Sequence, residues 1–242
     1  MILLSLYLCL AAMLHQSEGE ASPKLPGLMT SNPDQQTEIT DKHNNLRRIV
    51  EPTASNMLKM TWSNKIAQNA QRSANQCTLE HTSKEERTID GVECGENLFF
   101  SSAPYTWSYA IQNWFDERKY FRFNYGPTAQ NVMIGHYTQV VWYRSHELGC
   151  AIAYCPHQAT YKYYQVCQYC PGGNIRSRKY TPYSIGPPCG DCPDACDNGL
   201  CTNPCKQHDV YNNCPDLKKQ VGCGHPIMKD CRATCECLTE IK

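Results

Sequence analysis

Apolar positions first recur at helical spacing at Ile39, His43, Leu46 and Val50. They predict an amphipathic helix over residues 37–50, stopped near Pro52. The preceding stretch, residues 20–36, is rich in Pro, Ser and Gly and reads as a mobile arm. Ser63 caps a second predicted helix carrying Ile66, Ala70, Ala74 and Cys77. A third opens at Pro104 or Thr106 and turns Trp107, Ile111, Trp114 and Phe115 inward. Then the pattern changes. Residues 138–143, 149–154 and 161–169 are dense in β-branched and aromatic side chains and predict strands. Helices followed by strands predict an α+β sandwich with a mostly antiparallel sheet. All four Trp and all five Phe fall between Trp62 and Trp142, so the core belongs to this body, residues 38–170.

The C-terminal stretch lacks such a core. Ten cysteines lie between Cys189 and Cys237, with few large aliphatic residues and no Phe or Trp. Backbone ordering costs roughly 1–2 kcal/mol per residue, which so little apolar surface cannot offset. The segment therefore needs cross-links. Disulfides are the reading, each contributing about 2–4 kcal/mol. The rival is a metal site, half-suggested by Cys189-x-x-Cys192, but no second Cys-x-x-Cys pair follows.

The start of the chain points to an oxidising compartment. Residues 2–14 are apolar apart from Ser5, too short for a membrane span, and end in a polar run. Small residues at Ser17 and Gly19 predict a signal peptide over residues 1–19 and a secreted, extracellular product without stable membrane insertion. Removing Cys9 turns 17 cysteines into 16, an even number that leaves no free thiol. Charge is nearly balanced, which gives no general signal for nucleic acid or anionic membrane. No Asn-x-Ser/Thr sequon occurs.

Four polar residues of the body could share a site: His81, Glu96, Glu117 and His136. Two imidazoles and two carboxylates suit a divalent transition metal, with the acids as ligands or as partners fixing the His tautomer. Spacing alone equally allows four separate surface residues. His43, on the inward face of its helix, reads as a structural histidine, and the Trp107/Trp114 stripe as core.

Longer motifs carry a family resemblance. His43-Asn44-Asn45-Leu46-Arg47, Cys94-Gly95-Glu96-Asn97-Leu98, the run from Gly135 to Trp142 and the run from Tyr164 to Asn174 resemble, in order, the motifs of the CAP superfamily. With the cysteine-rich tail, the chain resembles the cysteine-rich secretory proteins (CRISPs). The resemblance implies a three-layer α-β-α CAP sandwich over 38–170, a disulfide-stapled hinge over 171–204 and a small helical cysteine-rich domain over 205–242. That last domain resembles sea-anemone potassium-channel toxins (the ShKT type) and is called an ion-channel regulatory domain in the family. The resemblance also implies a pairing: Cys77–Cys155, Cys94–Cys170 and Cys150–Cys167 in the body; Cys189–Cys196 and Cys192–Cys201 in the hinge; Cys205–Cys237, Cys214–Cys231 and Cys223–Cys235 in the tail. Cysteine spacing by itself leaves the connectivity open. The family's His/Glu tetrad maps onto His81, Glu96, Glu117 and His136, and some relatives bind zinc through the two histidines. No cofactor is required; zinc at His81 and His136 is the one implied.

The function implied is a monomeric, non-enzymatic venom-type toxin that impairs ion channels, among them voltage-gated potassium or calcium channels and the ryanodine receptor. The tail carries fewer basic than acidic residues, so a strongly basic pore plug is excluded. Leu217, Lys218, Lys219 and Val221 form the candidate channel-contact patch. The hinge holds Arg176, Arg178 and Lys179 and no acid between Pro171 and Pro188; it reads as a connector or as a basic ridge. Rival readings are a reproductive-tract role, sterol or lipid carriage on the body, and metal-dependent hydrolysis by the tetrad. No HExxH or GxSxG motif supports the last.

Overall fold

The computed structural model describes residues 25–211 and 213–242. The predicted signal peptide, residues 1–19, and residues 20–24 of the expected arm lie outside the described residues. The first long helix, α1 (Pro33–Arg48), begins earlier than the apolar spacing predicts. Asn32 caps it by accepting from Asp34 N (3.0 Å), with Pro33 in the first turn, where its missing N–H costs nothing. The turn-forming composition before residue 37 is thus capping chemistry. Nor is the stretch before α1 a mobile arm over its described part. Leu25–Leu28 forms a helical turn, Leu28 is buried, and its carbonyl accepts from Trp107 Nε1 (2.9 Å). Thr30 Oγ1 donates to Cys150 O (2.7 Å).

A four-stranded sheet forms the middle layer: β1 (Thr61–Trp62), β2 (Gly95–Ser101), β3 (Glu147–Tyr154) and β4 (Tyr163–Cys170), in the order β1-β3-β4-β2. Only the β1/β3 pair is parallel. Alternation along the strands divides two cores. Cys150, Ile152, Cys167 and Tyr169 face α1, α3 (Trp107–Asp116) and α4 (Gly135–Val140). Ala151, Ala153, Tyr164 and Val166 face α2 (Asn64–Gln76) through its Ala70 and Ala74. Helix α2 lies directly on the sheet: a Cβ on Gly149 would stand 2.1 Å from Ala67 N. The result is an α-β-α sandwich.

One predicted strand is not a strand. Residues 135–140 are helical, where the β-rich run from Thr138 predicted extended chain. Tyr137 to Tyr143 are all buried, so the run is apolar because it is enclosed on every side, and its periodicity carries no signal. The carbonyls freed at its end, Val140, Trp142 and Tyr143, are collected by Arg47, described below.

Eight disulfides are present among the described residues. Cys77–Cys155, Cys94–Cys170 and Cys150–Cys167 staple the body. Cys189–Cys196 and Cys192–Cys201 lie in the hinge; Cys205–Cys237, Cys214–Cys231 and Cys223–Cys235 lie in the tail. The hinge is annealed to the body. Lys59 N donates to Cys201 O (2.8 Å), Cys201 N to Met57 O (2.8 Å) and Asp191 N to Ser55 O (3.0 Å). Leu200 and Cys201 are buried in the main core cluster, which Ile241 joins from the far end of the tail. The tail itself packs α5 (Cys214–Val221) and α6 (Arg232–Glu236) around cystines and Met228.

Candidate functional site: two histidine–carboxylate pairs

Glu96 stands on β2, facing α2, and its side chain is fully buried. It accepts from Ser73 Oγ (2.9 Å), Gln168 Nε2 (3.0 Å), Thr82 N (3.1 Å) and Thr82 Oγ1 (3.0 Å). Its fifth partner is His81 Nδ1 at 3.0 Å. Burial raises its pKa, but the hydrogen bonds from His81, Gln168, Ser73 and Thr82 outweigh burial and hold the carboxyl below its usual range. The imidazole of His81, in contrast, is 55% exposed. The rigid carboxylate thus orients an accessible ring.

Glu117 follows α3 and forms the second pair. Its Oε1 lies 2.6 Å from His136 Nδ1, while Oε2 accepts from His136 N (2.9 Å) and Tyr137 N (3.1 Å). One carboxylate therefore satisfies the open amides of α4 and fixes the His136 ring. Trp114 stacks near that ring, with centroids 6.4 Å apart.

The tetrad is built as two pairs. Among the described residues, the only group of three or more His, Cys, Asp or Glu ligand atoms within 4.8 Å of one another is Cys189, Cys192 and Cys201. Those sulfurs are in disulfides, which removes the metal reading of the Cys189-x-x-Cys192 spacing. The two pairs are linked through β2: Asn97, next to Glu96, donates to His136 O (3.1 Å). Each histidine is held at Nδ1 and leaves the lone pair of Nε2 as its remaining ligand atom, an arrangement that fits a metal ligand backed by a carboxylate. His81 and Glu96 also line a cleft of about 1200 Å³ that runs between the body and Lys206 and His208 of the tail.

The other motif residues are structural. Arg47 is buried and donates to five carbonyls: Leu58 (3.0 and 2.7 Å), Val140 (2.9 Å), Trp142 (2.8 Å), Tyr143 (3.1 Å) and Ser145 (3.1 Å). Asn44 closes a two-way bond with the backbone of Met60 (2.9 and 2.8 Å). His43 bonds Ile39 O (2.8 Å) and Tyr169 Oη (2.9 Å), and burial lowers its pKa to about 4. It is neutral and structural, as its inward position predicts.

The tail patch is less open than the sequence suggests. Lys218 turns inward and donates to Thr234 O (3.0 Å). Lys219 pairs with Asp216 (3.2 Å), and Leu217 packs on the Cys214–Met228 cluster. Lys219 and Val221 face solvent. Unread in the sequence was the cage around Glu96. Asn69 and Ser73, one helical turn apart on the buried face of α2, were its available signal: polar residues on an apolar face.

The fold agrees with that of the chain's relatives. Residues 40–169 match the family model for CAP, the cysteine-rich secretory protein family, and residues 189–242 match the Crisp model. The chain belongs to the cysteine-rich secretory protein family. It is 98% identical, over the whole of both chains, to the cysteine-rich venom protein helothermine of Heloderma horridum horridum. It is 62% identical, again over the whole of both chains, to the cysteine-rich venom protein VAR11 of Varanus varius. Among solved structures, NaASP2 with Zn2+ superposes with a TM-score of 0.58 at 29% identity, covering 71% of this chain and 96% of that one.

Proposed function

We propose that this chain is a secreted toxin that impairs ion channels, with voltage-gated potassium or calcium channels and the ryanodine receptor as the target classes. The observation carrying this reading is its near-identity to a cysteine-rich venom protein. The fold supports a division of labour. The sandwich is a rigid mass, and the annealed hinge holds the cystine-built tail in one orientation against it. Rigidity at a contact surface reduces the entropy lost on binding. Lys219 and Val221 are the tail's solvent-facing contact candidates. Patch-clamp and single-channel recordings across that panel test the reading. Inhibition of at least one class at micromolar concentration is expected, and silence on all of them overturns it.

Zinc is the second element of the proposal. His81 and His136 would hold it through Nε2, while Glu96 and Glu117 keep both rings in the right tautomer. The solved relative NaASP2 with Zn2+ favours this ion. When bound, zinc would tie the loop bearing His81 to α4. Isothermal titration with zinc on the protein and on His81→Ala/His136→Ala is the test; unchanged affinity removes the site.

A further inference from the structure

Charge is balanced over the whole chain, 23 basic against 23 acidic residues, but it is not evenly spread. From Arg118 to Gly190 the chain carries eight Lys and Arg and a single acid, Glu147. Such segregation points to a partner of opposite charge.

The fold gathers much of this charge on one face. A short hairpin, Phe121–Arg122 with Gly126–Pro127, lies against the hinge loop around Tyr180. Asn124 N donates to Tyr180 O (2.9 Å), the rings of Phe123 and Tyr183 are 5.0 Å apart, and a Cβ on Gly126 would stand 2.7 Å from the Tyr180 ring. Arg118, Lys119 and Arg122 come from the hairpin side; Arg178 and Lys179 come from the loop. None of the five takes part in an ion pair among the described residues. Instead four rest on rings: Arg122 lies 4.3 Å over Tyr125, Lys119 4.9 Å over Tyr120, Arg118 4.9 Å over Phe115 and Arg178 6.0 Å from the centre of Tyr143. Of the acids nearby, Asp116 accepts from Gln112, Glu117 is held by His136 and Glu51 lies near Tyr183; none of them forms an ion pair with the five cations.

The same face exposes apolar and amphipathic tips. Tyr125, in the hairpin turn, is 68% exposed, and Tyr180 and Ile185 of the loop are also open. Asn174 ties the loop to α4 by donating to Gly135 O (2.9 Å). A hollow of about 310 Å³ opens in the face, walled by Tyr143, Arg178, Tyr183 and Ile185.

Cations alone would suit any polyanion. The apolar tips among them discriminate. A soluble polyanion gains little from Ile185, whereas a bilayer interface takes cations at its headgroups and Tyr and aliphatic tips just below. We propose that this face docks the protein onto anionic phospholipid bilayers. The contact is peripheral: no described helix is long and apolar enough to cross a membrane. Docking is independent of channel impairment, and either can fail alone.

Vesicle flotation with the full chain tests this. Vesicles of phosphatidylcholine with phosphatidylserine are expected to retain the protein, phosphatidylcholine alone is not, and retention falls as salt rises. Reversing Arg118, Lys119, Arg122 and Arg178 to Glu is expected to weaken retention at least about tenfold. Tyr125→Ser/Ile185→Ser is expected to weaken it several-fold while leaving the salt dependence in place. Circular dichroism checks that both variants fold, and the salt series on the unaltered protein reads the same property without substitution. Equal retention on both vesicle types, or retention unchanged in both variants, overturns the proposal. So does capture by heparin or poly-glutamate beads with none on vesicles, which would make the face a soluble-polyanion site.

Discussion

Glu117 and His136 are 19 residues apart in sequence, yet one carboxylate holds both the ring and the backbone of that histidine. The Oε1–Nδ1 distance is 2.6 Å, and the same group accepts the first open amides of α4. The acid is therefore a positioning group, and the nitrogen left with a lone pair is His136 Nε2. Glu117→Gln keeps an acceptor for the two amides but loses the charge behind the ring. Zinc affinity is expected to drop by roughly 10–100-fold, as removal of such a partner generally does. Calorimetric titration checks it, with an unchanged circular dichroism spectrum as the control.

Arg47 holds the molecule together in a different way. Its guanidinium is buried without a carboxylate and is neutralised only by carbonyl dipoles. Burial lowers its pKa to about 9, so it remains charged at neutral pH. Arg47→Met leaves five buried carbonyls short of a donor. A loss of at least about 3 kcal/mol is expected, since each unsatisfied buried group costs roughly 1–3 kcal/mol. Arg47→Lys is also expected to destabilise, because an ammonium lacks the fork that reaches five oxygens. Denaturant melts with the disulfides intact measure both.

His43 makes stability depend on pH. It titrates near 6.5 when unfolded and about 4 in the fold, because burial disfavours the imidazolium. Between those values the unfolded chain binds more protons, so acid favours unfolding. The contribution is complete above about pH 6.5, is lost as pH falls towards 4 and levels off below, for a total of about 3 kcal/mol. His146, also lowered by burial, acts in the same direction. Melts from pH 7 to pH 4 are expected to show this decline, flattened in His43→Gln but not abolished.

Ile241 links the tail to the body. It is buried in the cluster that holds Leu200, and its backbone pairs with Asn203 (3.0 Å) and Cys205 (2.8 Å). Ile241→Ser is expected to remove roughly 1.5–3 kcal/mol of burial. Amide exchange should quicken across residues 203–242 while the sandwich keeps its protection. Equal loosening in both parts would mean the tail is not separately held.

The cystine frame of the tail gives a further expectation. Cys223–Cys235 closes a short loop beside a core of cystines and Met228. Replacing both cysteines with Ser should cost about 2–4 kcal/mol, confined to the tail. Domain-resolved exchange would separate that outcome from a global loss.

Much of the fold could be read directly. The helices at Asn64–Gln76 and Trp107–Asp116 follow from Ser63, Thr106 and their apolar stripes, because a helix cap and a face of spacing 3.6 are local facts. The strands Glu147–Tyr154 and Tyr163–Cys170 follow from dense β-branched and aromatic runs. The same reasoning misread residues 138–143, where enclosure on all sides erased the period. It passed over strand Gly95–Ser101, whose Glu and Asn look like loop chemistry until their partners are known.

By itself the sequence determined that the C-terminal module must be cross-linked, that sixteen cysteines can pair off, and that the apolar mass lies in the body, because these depend on how much of each residue type there is and where. Tertiary structure alone decided that the four site residues form two pairs, that Lys218 turns inward, and that distant cations share one face. Those are matters of direction and distance between segments far apart in the chain, and composition and spacing carry no record of either.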